Sequence, residues 1–178
     1  MNRCGELDLN EAERAIQPET EAIIMTHASN VTGNVYDIEA VGRICSQRNI
    51  KFIVDAAQTA GLLSIDMGKC GITALCFSGH KSLYGPQGTG GMCIRPDSIP
   101  KSLMVGGSGM DSFSMEHPSE LPDALEAGTQ NSHGIAGLQQ GLCYIRQMNG
   151  ACYSEADKLA KYFISKIRDK QNMIIYGN

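Results

Sequence analysis

Three short apolar runs set the frame for this chain: residues 22–26 (AIIMT), 52–54 (FIV) and 74–77 (ALCF). Each is too short for a helix and is continuous rather than alternating, the pattern of a strand covered on both faces of a parallel sheet. Parallel neighbours need a crossover between them, and segments of helix length fill that place. Asp37 can cap a helix whose apolar face is Ile38, Val41, Ile44 and Cys45, with Asn49 where it should stop. Residues 58–63 have the length of a short second helix, and residues 7–16 carry helical apolar spacing closed by Pro18. A further strand is expected over residues 90–94, between a glycine turn and Pro96. The alternation predicts an α/β fold with a mainly parallel sheet.

Beyond Pro96 the pattern changes. Residues 101–133 are rich in Gly, Ser and Pro with no periodicity. An irregular stretch of that length in a compact domain is usually functional or covered by a partner. After it, Ile135, Leu138, Leu142 and Ile145 mark one helix, and residues 155–168 a second with Leu159, Phe163 and Ile167 on its inner face. Gly150 separates the two, and residues 173–176 (MIIY) are strand-like. The expected division is residues 1–149 as a ligand-binding domain and 150–178 as a helix and strand leading away from it.

Several function classes are excluded by composition. The 178 residues suffice for one domain with a substantial core, and 42% apolar with 19% charged residues is globular usage. A net charge of −4 with scattered basic residues leaves no basic stripe for nucleic acid, and the absence of Trp leaves few stacking platforms. Seven cysteines stand singly with no CxxC pair, which fits reduced thiols in a cytoplasmic protein rather than a disulfide framework or zinc site. No apolar run reaches membrane-spanning length and no signal-peptide core opens the chain.

In open parallel sheets, ligands sit outside the C-terminal ends of the strands. Three sets of polar residues fall there: Asn30, Asp55 with Gln58, and Ser78 with His80 and Lys81. Most lysines are solvated surface charges. Lys81, directly after an apolar strand and before a glycine turn, has instead the placement of an amine that forms a Schiff base with a carbonyl cofactor, which lifts the barrier set by a solution pKa near ~10.4. Asp55 could simply cap a helix. Set against a protonated ring nitrogen at ~4 Å, it would gain roughly 4 kcal/mol at intermediate dielectric before desolvation. Ser78, His80 and Thr129 offer donors suited to phosphate oxygens. The segment GPQGTGG is no phosphate-binding P-loop because its lysine precedes the glycines, and GGSGM lacks the last glycine of a nucleophile elbow. His27, His117 and His133 have no partners at metal-ligand spacing, so no metal site is expected.

The segments THASNVTGN, VDAAQTAG, FSGHKSLYGPQGTGG and EAGTQN occur in that order, and together they resemble the class V aminotransferases, specifically the cysteine desulfurase and selenocysteine lyase group. The stretch SFSMEHPSELPDALEAGT resembles a cysteine-desulfurase-like sub-branch. The resemblance implies a three-layer α/β/α sandwich, part of the large domain of fold type I transferases, with pyridoxal 5'-phosphate as cofactor. Lys81 would hold the cofactor covalently, Asp55 would pair with its pyridinium nitrogen and Gln58 with its phenolate oxygen. Ser78 and His80 would hold its phosphate. Thr129 would reach the phosphate of the other subunit of a homodimer, and Asn30 would lie near the cofactor face and the substrate carboxylate. The implied reaction takes sulfur from L-cysteine to give alanine and a persulfide, with a sulfur-acceptor protein as partner. Selenocysteine lysis, transamination or a non-catalytic truncated scaffold are the alternatives. Members of the group are about twice as long. Their phosphate-binding glycine-threonine loop and a ring-stacking side chain lie upstream, and their substrate-binding arginine and mobile nucleophilic cysteine lie downstream, with no counterpart here. None of the seven cysteines is therefore nominated as nucleophile: Cys76 and Cys93 fall in expected strands, and Cys45 and Cys143 on apolar helix faces.

Overall fold

A computed structural model of the protein describes residues 5–107, 109, 113–148, 151–168, 170 and 173–177. Cys4, Ser108, Met110 and Gly150, which figure above, lie outside the described residues. The centre is a four-stranded sheet in the order β1 (Ala22–Thr26), β2 (Lys51–Asp55), β3 (Ala74–Ser78) and β4 (Gly90–Ile94). β1, β2 and β3 run parallel and β4 pairs antiparallel to β3, so the sheet is mixed and mostly parallel.

Two helices cover one face. α1 (Leu9–Ala15) starts where the Asp8 carboxylate accepts the N–H groups of Asn10 and Glu11 at 2.9 and 3.1 Å. α2 (Ile38–Arg48) starts where Asp37 Oδ1 accepts the Ala40 N–H at 2.9 Å, and it ends at Asn49 in the left-handed region, φ 55°. Ile38, Val41 and Cys45 of α2 pack on Phe52 and Val54 of β2, with Cys70 and Ile72 closing the cluster. Phe52, Val54 and Ile72 are wholly buried. Because strand residues alternate between faces, the register puts Ile24, Ile53 and Ala74 on the opposite face, with Thr26, Asp55, Cys76 and Ser78 following at its C-terminal end.

The structure departs from the sequence reading in four segments. Residues 58–63 form successive turns rather than a helix; Gly61 at φ +87° breaks any helical run. Residues 173–177 form no strand, having no paired strand among the described residues. α3 (Ser132–Met148) buries Gly134, Leu138 and Gly141, while Ile135 and Leu142 of its expected inner face stand 51% and 42% exposed. α4 (Ala151–Ile167) buries no residue, and the expected inner residues Leu159 and Phe163 are exposed. Among the described residues no helix is long and apolar enough to cross a membrane.

Candidate active site

The three parallel strands end side by side, since Thr26 pairs with Asp55 and Asp55 with Cys76. The segments leaving those ends carry the expected polar residues. After β1 the chain folds into a tight turn: Ser29 N–H donates to Asn34 O at 2.9 Å, and Ser29 Oγ accepts the N–H groups of Val31 and Thr32. Asn30 is exposed at the head of this turn. After β2, the Asp55 carboxylate accepts the Ala57 N–H at 2.9 Å through one oxygen, and Gln58 lies half-buried in the turns that follow. After β3, Ser78 is half-buried, while His80 and Lys81 are exposed. The Lys81 turn is closed by Tyr84 N–H to Lys81 O at 3.0 Å and by Gly85 N–H to Gly79 O at 2.8 Å.

Asp55, Cys76 and Ser78 share the face opposite α2. With strands about 4.8 Å apart and a rise of about 3.3 Å per residue, Asp55 and Ser78 stand about 8 Å apart along the sheet edge. That span suits a heterocycle bearing a phosphate arm, with the carboxylate at one end and the hydroxyl at the other. The residues present therefore fit the cofactor that the sequence motifs imply. Asp55 is exposed, however, not buried as a carboxylate sequestered beside a cofactor would be. The Lys81 amine makes no hydrogen bond or ion pair among the described residues. Thr129 is exposed in a separate segment, whose Asn131 side chain reaches Gly88 O at 3.4 Å. It is tied to the glycine turn beyond the lysine, not to Ser78.

His27, set aside as an ordinary histidine on spacing grounds, belongs to this edge. It is the first residue after β1, its N–H donates to Asp55 O at 2.9 Å, and its Nδ1 lies 2.9 Å from Thr59 Oγ1. Burial holds its pKa below the ordinary value, so the ring is neutral at physiological pH. Position next to a strand end, not side-chain spacing, was the available signal. The cysteines also differ from expectation, since Cys93 and Cys143 are exposed. Cys93 pairs with Leu75, and so faces away from Asp55. Cys76 shares the Asp55 face, but burial and then the Asp55 charge push its thiol pKa up, which suppresses the thiolate. An open cleft of about 840 Å³ runs along residues 105–107, 114–120 and 123, and none of the strand-end residues lines it.

The sequence pattern of the family described as aminotransferase class-V matches residues 1–178. The chain belongs to that family. Pyridoxal 5'-phosphate is the family's cofactor, in agreement with the fit at the strand ends. A probable cysteine desulfurase of Borreliella burgdorferi is 33% identical over 178 residues, covering 95% of this chain and 42% of that protein. The apo cysteine desulfurase of Thermococcus onnurineus NA1 superposes with a TM-score of 0.82 at 31% identity, over 97% of this chain and 46% of the other. SspA in complex with cysteine superposes with a TM-score of 0.65 at 31% identity, over 78% of this chain and 37% of the other. This class-V chain thus spans less than half the length of the relatives it matches, and its fold is that of fold type I transferases.

Proposed function

We propose that this chain carries the cofactor-holding core of a pyridoxal-phosphate-dependent cysteine desulfurase. The observation that carries the reading is the shared strand-end edge, where Asp55, Ser78 and the Lys81 turn stand together within motifs of a class-V chain. Asp55 would keep the cofactor's ring nitrogen protonated, Gln58 would donate to its phenolate oxygen, and Ser78 and His80 would hold its phosphate. The bound cofactor supplies an electron sink for the pair released at the substrate Cα. Lys81 would tether the cofactor and then, as a free amine, take the Cα proton of cysteine. Asn30 would orient the substrate carboxylate. His27, neutral and held by Thr59, would brace the backbone beside Asp55 through its N–H to Asp55 O.

Cysteine as substrate is supported by the cysteine complex of SspA and by the desulfurases among the relatives. Its sulfur would pass to a cysteine thiolate, leaving alanine. With Cys76 suppressed and Cys93 facing away, the acceptor would be a thiol outside this edge, on a sulfur-acceptor protein or another part of the enzyme. Thr129, exposed and apart from Ser78, would serve the phosphate of a second copy in a homodimer. The free state of every described cysteine supports a reducing, cytoplasmic setting.

The exposure of Asp55 and Lys81 favours one second reading, a scaffold that binds no cofactor. Adding pyridoxal phosphate to the full chain separates the two. The expected result is a visible absorbance band, its loss in Lys81→Ala, and, after borohydride reduction, the cofactor's added mass on the Lys81 peptide. A wild-type protein that stays colourless, or label that lands elsewhere, overturns the proposal.

A further inference from the structure

We propose that Gly61 and Gly141 are positioning residues for Lys81, gripping the lysine turn from two sides and setting where its amine stands relative to Asp55. The inference rests on the cofactor role of Lys81 proposed above. Gly61 belongs to the turns that leave Asp55, and Gly141 to the middle of α3. A Cβ at Gly61 would stand 2.7 Å from Ser82 O and 2.9 Å from Leu83 Cδ2. A Cβ at Gly141 would stand 2.2 Å from Leu83 O and 3.0 Å from the Tyr84 carbonyl carbon. Most of these are backbone atoms, which cannot swing aside as the tip of a side chain can.

The turn itself has little slack. It is closed at both ends by backbone hydrogen bonds, Leu83 is 6% exposed, and Tyr84 is held in the left-handed region at φ 57°. A bulky residue held there indicates that its surroundings fix the backbone. Tyr84 also meets Tyr144 of α3 edge-on, with ring centroids 5.5 Å apart. The segment after Asp55, the lysine turn and α3 are therefore stacked backbone on backbone, with hydrogens where side chains would stand. Ordinary van der Waals contact begins near 3.4 Å, so a methyl at Gly141 requires the Leu83 carbonyl to retreat by about 1 Å. A misplacement of that size can cost a positioned catalytic group up to ~100-fold.

The test compares Gly141→Ala and Gly61→Ala with Gly137→Ala in the full chain. A Cβ at Gly137 would stand 2.7 Å from Pro86 Cγ, as close as the nearest contact at Gly61, but it presses on a side-chain ring beyond the lysine turn. Circular dichroism gives the folded fraction of each variant. The rate at which the visible band forms with pyridoxal phosphate, and the pH midpoint of that band, report on the amine. Expected per folded molecule is attachment slowed about tenfold or more in Gly141→Ala and Gly61→Ala, with a displaced pH midpoint, and neither change in Gly137→Ala. Wild-type rate and midpoint in either folded variant of the pair, or effects of equal size in Gly137→Ala, overturn the inference while leaving the cofactor role of Lys81 intact. Loss of folding in both variants of the pair also overturns it, since positioning requires an intact fold. A wild-type chain that never attaches the cofactor overturns the role of Lys81 itself, and the inference with it.

Discussion

A histidine left 6% exposed has to remain neutral or carry a charge into the interior, and His27 is arranged for the first. Its Nδ1 is engaged by Thr59 Oγ1, and burial lowers its pKa below 6.5. The unfolded chain therefore takes up the proton first as pH falls, and below the ordinary histidine value the folded state loses ground. That loss stops once pH passes the lowered folded value, where both states are protonated. His27→Gln keeps a polar partner for Thr59 but cannot titrate. Thermal melts at about pH 7.5 and about pH 5 are expected to show a smaller fall in Tm for His27→Gln than for wild type. Equal falls in the two proteins would mean that other groups carry the acid sensitivity. The same residue marks a limit of reading sites from sequence. Lys81, Asp55 and Ser78 were legible because each follows an apolar run, whereas His27 matters through its place beside Asp55, which only strand register reveals.

Elements were legible where burial is two-sided or capping chemistry is explicit. β2 and α2 meet both conditions, and Asp37 and Asn49 bound α2 as their side chains require. Asp37→Ala removes the side-chain acceptor that caps the α2 N-terminus, the 2.9 Å bond from Ala40 N–H. A loss of about 1 kcal/mol is expected, seen as a lower urea midpoint at unchanged slope, with most of it restored by Asp37→Asn. A midpoint equal to wild type would indicate that water satisfies the Ala40 N–H as well. α3 was legible as a helix but not in its orientation. Hydrophobic periodicity selects Ile135, Leu138, Leu142 and Ile145, whereas the packed line runs through Gly134, Leu138 and Gly141. Glycine contributes nothing to an apolar pattern, yet it alone permits helix backbone to approach turn backbone. Close approach of that kind is invisible to periodicity, as is the break that Gly61 imposes on residues 58–63.

At the scale of the whole molecule, apolar surface stands open on two sides. Ile24, on the sheet face opposite α2, is 72% exposed, and Leu159 and Phe163 on α4 are 67% and 63% exposed. Leu159 and Phe163 are four residues apart and so lie on one side of their helix. Single exposed apolar residues need no explanation, but α4 fully buries none of its side chains and leaves Leu159, Tyr162 and Phe163 open to water. The chain spans less than half of the length of the relatives it matches. The hydrophobic effect then favours contact between copies. In sedimentation velocity on the full chain, the mean coefficient should rise with protein concentration over about two decades. It should stay raised at high salt, because the attraction is apolar rather than between charges. Phe163→Glu and Leu159→Glu place a charge at positions already in water, so they should lower the association while leaving the melt of the monomer unchanged. A single species of monomer mass at every concentration would mean that the α4 stripe finds its cover within one chain.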